Sequence, residues 1–153
     1  MGYPSFLSKS TGQTKNFAKN LAKTLKAGDC LAIYGPLGAG KTTFIQGLAA
    51  GLSFSGRVFS PTFVFVRPYK VSDQGTGNRE QRLEIKTIYH IDLYRVEKPI
   101  DLKTVGISEF LADKQAISVI EWPEKIEKAL PERTIRVKIE PVSKNRREIK
   151  VSG

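Results

Sequence analysis

The 153-residue chain contains one cysteine, one histidine and one tryptophan, and each scarcity narrows what it does. A single thiol forms no internal disulfide, and Cys30, set in the apolar run Cys30-Leu31-Ala32-Ile33-Tyr34, reads as a small core residue. His90 has neither a second histidine nor a cysteine cluster near it, which argues against zinc. No apolar run approaches the roughly 20 residues that crossing a bilayer requires. The N-terminus, Met1-Gly2-Tyr3-Pro4-Ser5-Phe6-Leu7, lacks the basic start, long apolar segment and cleavage site of a signal peptide, and Pro4 argues against lipidation at Gly2. A cytoplasmic location, with no membrane partner, is the default expectation. Acidic residues are scarce too: 15 Asp and Glu stand against 25 Lys and Arg, a net charge of +10. Such an excess favours polyanions, whether nucleic acid, acidic protein or nucleotide phosphates. Lys9, Lys15, Lys19, Lys23 and Lys26 punctuate the first helical segment, and Arg133, Arg136, Lys138, Lys144, Arg146, Arg147 and Lys150 crowd the tail. No basic strip interleaved with stacking aromatics accompanies them, so a solvated surface is preferred to direct RNA binding.

What is present is a phosphate-binding loop. Gly35-Pro36-Leu37-Gly38-Ala39-Gly40-Lys41-Thr42 fits G-x-x-x-x-G-K-[ST] in full. The apolar run 30–34 precedes it, and Phe44, Ile45, Leu48, Ala49 and Leu52 follow at helical spacing. Strand, glycine-rich turn and helix is the order such a loop needs. Its glycines let main-chain N–H groups converge on phosphate oxygens, and the helix N-terminus adds a favourable dipole. Leu37, Gly38, Ala39, Gly40, Lys41, Thr42 and Thr43 are therefore the candidate nucleotide contacts. Lys41 reaches the β- and γ-phosphates, and the Thr42 hydroxyl binds Mg²⁺.

The remaining elements form one α/β domain spanning 1–153. Ser10 and Gln13 make a capping box, Phe17, Leu21 and Leu25 recur every four residues, and Gly28 stops a helix of about 11–27. Residues 63–66 and 83–92 read as strands that pair as a hairpin across the polar connection 71–82. A helix over 101–112, a buried strand over 116–120, a short helix over 124–130 begun by Pro123, and two antiparallel strands over 135–139 and 147–151 complete the pattern. The sum is a P-loop NTPase sandwich, a mainly parallel sheet with an antiparallel edge.

Phosphoryl transfer also needs an acid near magnesium and something to orient water. Glu121, delivered to a strand end, is the leading magnesium candidate. Asp92 also ends a strand; it contacts magnesium through water, orients the attacking water, or merely caps a helix or pairs with Arg95. Thr62, after Ser60-Pro61, is a γ-phosphate switch or a plain turn residue. Trp122 packs the site, meets a partner, or belongs to the core.

Together the Gly35–Thr43 loop, Ser60-Pro61-Thr62-Phe63, His90-Ile91-Asp92-Leu93-Tyr94-Arg95 and Val119-Ile120-Glu121-Trp122-Pro123 resemble the TsaE (YjeE) family. The H-x-D-L-Y-R and E-W-P segments are more specific than the P-loop. The resemblance implies a small bacterial ATPase of tRNA threonylcarbamoyladenosine modification, using ATP and Mg²⁺, cytoplasmic, and working with TsaB and TsaD. Those partners transfer the threonylcarbamoyl group from an adenylate made by TsaC, so the ATPase resets or regulates TsaB–TsaD, with tRNA contact inside that complex left open. It further implies magnesium at Thr42 and Glu121, activity dependent on Asp92 and Trp122, and Thr14 and Arg133 on the adenine side. Slow hydrolysis by the isolated protein is expected, since no arginine finger is assured in cis. The rivals are a small-molecule kinase, for which no arginine-rich lid is visible, and an ATP-responsive binding module without significant turnover. A GTPase is disfavoured by the lack of Asn-Lys-x-Asp and Asp-x-x-Gly segments.

Overall fold

The apolar run Cys30–Tyr34 is the middle strand of a seven-stranded sheet in the computed structural model, which describes residues 5–61, 65–71, 84–97 and 106–153. The strands are β1 (Phe6–Ser8), β2 (Cys30–Tyr34), β3 (Val66–Lys70), β4 (Thr87–Asp92), β5 (Ala116–Glu121), β6 (Ile135–Ser143) and β7 (Arg146–Ser152). Their spatial order is β1-β7-β6-β2-β5-β4-β3. The four central strands β6, β2, β5 and β4 run parallel, and antiparallel pairs flank them on both sides. The expected antiparallel edge is thus present twice. Strand β1 was not anticipated, because three residues with one buried position carry too little pattern to read. Pro68 sits in the edge strand β3, where a missing N–H is tolerated.

The helices are α1 (Thr11–Ala22), α2 (Lys41–Gly51), α3 (Ile107–Leu111) and a 3-10 helix, Pro123–Ala129. Ser10 caps α1, its Oγ accepting from Gln13 N at 3.1 Å, while Gln13 Oε1 accepts from Lys9 N. α1 stops five residues earlier than its periodicity suggests. Lys23 N, Thr24 N and Leu25 N bond three residues back, and the Thr24 hydroxyl takes the Leu21 carbonyl at 2.7 Å, tightening the last turn until the chain leaves the helix. Leu25 is buried nonetheless. Of the helix read over 101–112, the described part is Ile107–Leu111, and 98–105 lie outside the described residues. So do residues 63 and 64 of the strand expected at 63–66 and nearly all of the 71–82 connection; the hairpin partner of β4 runs from Val66 to Lys70.

Apolar side chains cover both faces of β2 and β5, which is why they read as continuous hydrophobic runs, whereas β6 alternates apolar with charged residues. On one face Leu31, Ile33, Val119 and Val137 meet Ala18, Leu21, Phe44, Ile45 and Leu48 of α1 and α2. On the other, Cys30, Ile91 and Ile120 meet Leu93, Ile107 and Ile126. α1 and α2 pack backbone to backbone. A Cβ built on Gly47 would lie 2.3 Å from the Lys15 carbonyl oxygen, and one on Gly51 would lie 2.7 Å from that of Lys19. Two glycines four residues apart on α2 therefore set the helix spacing, and with it the seat of the loop that begins α2.

Candidate nucleotide site

Strand β2 ends at Tyr34, and the chain turns through Gly35–Gly40 into α2. Gly38 and Gly40 take φ of 78° and 100°, left-handed values that glycine adopts without strain. Gly40 is the residue before the first helical turn, so the N–H groups that open α2 point out of the loop toward the cavity mouth. That cavity, about 490 Å³, is lined by Leu37 through Thr43, Ser60, Asp92, Tyr94, Glu121, Trp122 and Arg147. A larger hollow of about 760 Å³ lies over the open face of β6 and β7, but its charges are paired locally. Glu127 accepts from Tyr34 and Arg136 there, and Lys138 pairs with Glu140, so it offers less to an anion than the loop does.

The Lys41 amine folds back onto the loop, donating to the carbonyls of Gly35 and Pro36, and stands 3.7 Å from the centre of the Trp122 ring. Burial pushes its pKa below the ordinary lysine range, against the opposing pull of Glu121, Glu124 and Asp92. Trp122 itself has φ 59° and ψ 49°, a left-handed conformation rare for a bulky residue. Pro123 follows it and starts the 3-10 helix, and the Tyr94 ring centre lies 5.1 Å from its own.

Asp92 and Glu121 are register partners at the ends of the parallel strands β4 and β5, which places both acids side by side at the mouth. Both are buried. Glu121 Oε1 faces Thr42 Oγ1 at 3.5 Å, and Oε2 takes His90 Nε2 at 2.6 Å and Ser60 Oγ at 3.3 Å. Asp92 Oδ2 accepts from Ser60 Oγ at 2.6 Å, and its Oδ1 accepts from Tyr94 N at 2.9 Å, so it closes a turn, not the helix that it was expected to cap, while also lining the site. The fit to a magnesium ion is good. Thr42 Oγ1 and Glu121 Oε1 are separated by little more than the about 2.9 Å edge that 2.0–2.1 Å octahedral bonds imply, and this ion ordinarily fills its other positions with water and phosphate oxygens. Among the described residues no set of three His, Cys, Asp or Glu forms an all-protein metal cage.

The expected contacts do not all gather here. Arg133 sits with Ala27, Gly28, Asp29, Cys30 and Pro131 at the opposite end of β2 from the loop, so its assignment to the adenine side is corrected by the fold: β6 runs parallel to β2 and starts where β2 starts. Thr14 is buried on α1 with its hydroxyl 2.6 Å from Ser8 Oγ, where it fastens β1 rather than lining the cavity. Thr62 lies outside the described residues. In their place the structure brings in Arg147 of β7, whose guanidinium donates to the Ala39 and Gly38 carbonyls and leaves no room for a Cβ at Gly40. Nothing in the sequence around Arg147 marks it, because 108 residues separate it from Ala39. His90 and Ser60 were missed as well, although the spacing of His90 and Asp92 on one strand puts both on the same face.

A family model described as "Threonylcarbamoyl adenosine biosynthesis protein TsaE" matches residues 8–149. The chain is similar to the tRNA threonylcarbamoyladenosine biosynthesis protein TsaE of Haemophilus influenzae, 38% identical over 82% of this chain and 72% of that one. The Bacillus subtilis protein of the same name is 34% identical over 90% and 77%, and that of Treponema pallidum 32% identical over 95% and 98%. Among solved structures, Bacillus subtilis YdiB superposes with a TM-score of 0.72 at 29% identity, covering 99% of this chain and 86% of that one. With an α/β P-loop sandwich and a family-model match over residues 8–149, the chain belongs to the TsaE family of tRNA threonylcarbamoyladenosine biosynthesis proteins.

Proposed function

We propose that this protein is a magnesium-dependent ATPase that regulates or resets the TsaB–TsaD transferase in that pathway. The observation that carries the reading is the convergence of Lys41, Thr42, Asp92 and Glu121 on one cavity at the N-terminus of α2. ATP would lie with its β-phosphate on the N–H groups of 38–43. Lys41 would leave the Gly35 and Pro36 carbonyls to neutralise charge on the β- and γ-phosphoryl oxygens as the terminal bond breaks. Thr42 and Glu121 would hold Mg²⁺, which supplies Lewis-acid stabilisation of the same oxygens. Asp92 and Ser60, hydrogen-bonded to each other, are placed to orient the attacking water. Arg147 is committed to loop carbonyls and does not act as an arginine finger in this arrangement, which supports slow hydrolysis alone and completion of the site by a partner, worth about 10³–10⁵-fold in related NTPases.

The exposed lysines of α1 offer a route to tRNA phosphates within the complex. Lys15, Lys19 and Lys23 recur every four residues, and α1 carries no acid in its first turn. Phosphate release measured alone and with TsaB and TsaD tests the main reading, and an unstimulated rate would count against a partner-completed site. A phosphorylated small-molecule product would favour a kinase, and nucleotide binding without any phosphate release would favour a binding module. Glu121→Ala is expected to weaken nucleotide binding in the presence of Mg²⁺ and leave it unchanged in EDTA.

A further inference from the structure

We propose that His90 is a positioning residue, held by Tyr69, that fixes the orientation of the Glu121 carboxylate so that one oxygen is turned toward the cation; the inference rests on the Mg–ATP reading above. His90 is fully buried, Tyr69 is 3% exposed and Glu121 is 3% exposed, so none of the three is oriented by water. A glutamate's last torsion is broad and nearly two-fold, and an unanchored carboxylate presents either oxygen. Here Oε2 is anchored by His90 Nε2 at 2.6 Å, with Ser60 Oγ, whose proton goes to Asp92, 3.3 Å away, and Oε1 is left for the Thr42 side. An ionised carboxylate only accepts, so the hydrogen bond assigns the ring proton to Nε2. The other ring nitrogen, Nδ1, is hydrogen-bonded to the Tyr69 hydroxyl, 2.8 Å away. The same hydroxyl lies 3.2 Å from the Phe59 carbonyl, beside Ser60 in the chain.

A satisfied core histidine would explain the burial but not the choice of partner. Histidine is a costly way to fill a core, and this one spends its strongest bond on the one carboxylate that faces Thr42. β4 thereby clamps the site twice, through His90 on Glu121 and through Asp92 on Ser60, two residues apart on one strand face. Partners that orient a metal's ligands typically matter 10–100-fold in metal affinity or activity.

The test measures binding of a fluorescent ATP analogue with Mg²⁺ and in EDTA, for wild type, His90→Leu, His90→Gln and Tyr69→Phe. The expected result for His90→Leu is loss of about 10–100-fold of the Mg²⁺-dependent gain in affinity, with the EDTA affinity unchanged. His90→Gln, whose amide still donates, should recover much of it, and Tyr69→Phe should lose less in the same direction. A folded His90→Leu protein with the wild-type Mg²⁺ gain overturns the proposal, as does an equal loss with and without Mg²⁺, which marks a merely structural role. If His90→Leu does not fold, Tyr69→Phe decides alone, because it removes one hydroxyl, and a wild-type gain there overturns the proposal. A wild-type protein whose binding ignores Mg²⁺ sinks the Mg–ATP reading itself, a separate outcome.

Discussion

Replacing Gly47 by alanine adds one methyl group where the two helices over the sheet touch. Its carbon would lie 2.3 Å from the Lys15 carbonyl oxygen, 2.7 Å from Lys15 Cα and 2.8 Å from its carbonyl carbon. All three are backbone atoms, so no side chain can swing aside. Ordinary carbon–oxygen contacts begin near 3.3 Å, and α1 must therefore withdraw by about 1 Å. Overpacking of this kind costs about 1–3 kcal/mol, and a backbone obstacle puts it at the upper end. Alanine's better helix propensity returns about 1 kcal/mol. The net loss is about 2 kcal/mol, which at this chain length lowers Tm by about 4–8 °C. Gly12→Ala is the matched control. There the added carbon meets only Ser10 Oγ at 3.8 Å, so propensity acts unopposed and stability should rise by about 0.5–1 kcal/mol. Thermal melts of the two variants beside wild type check the reasoning. Equal shifts, or a Gly47→Ala protein as stable as wild type, would refute the claim that Gly47 sets the helix spacing.

Three further outcomes are expected. Lys41→Ala should abolish ATP turnover while the melting curve stays cooperative, since the amine bonds only to loop carbonyls and the Trp122 face; a folded variant with wild-type phosphate release contradicts its role. Trp122 is the one tryptophan, and its emission should change as nucleotide draws Lys41 off its ring, with Lys41→Ala showing an altered spectrum before any nucleotide is added; an emission blind to both would break the link between them. Tyr34 is pushed up to about 12, first by burial and then by its bond to Glu127. Its folded value exceeds the ordinary 10, so its contribution to stability is complete below pH 10 and is lost as pH rises toward 12. Absorbance titration of wild type against Tyr34→Phe should show the late phenolate missing from the variant, and a Tyr34 titrating at 10 would contradict the pairing.

The parts of the site legible in the sequence are those whose signal is local. The loop is eight contiguous residues, and Glu121 and Asp92 each end an apolar strand whose length and pattern are visible without a fold. What stayed hidden depends on the order of strands. Arg147 reaches the loop because β7 lies beside β6, and β6 beside β2. Arg133 was placed on the adenine side by resemblance, with no sharp motif around it, and the parallel direction of β6 sends it to the far end. His90 was judged as a metal ligand and set aside, when its partner is a carboxylate 31 residues away on the next strand. Thr14 and Ser8 form a buried pair that no spacing rule foretells, since β1 itself is too short to recognise.

The hairpin of β3 and β4 has a further consequence for engineering. The chain leaves the sheet after Lys70 and re-enters at Thr87, which pair with each other, whereas Val66 and Ile91 pair near Asp92. The connection is thus attached about 16 Å, five strand steps, from the acid it might have disturbed. Lengthening a connection costs only about 0.6 kcal/mol per doubling. A fluorescent module or an affinity handle spliced between 71 and 84 should therefore ride on the protein without displacing Asp92, and this is where a reporter of its partners belongs.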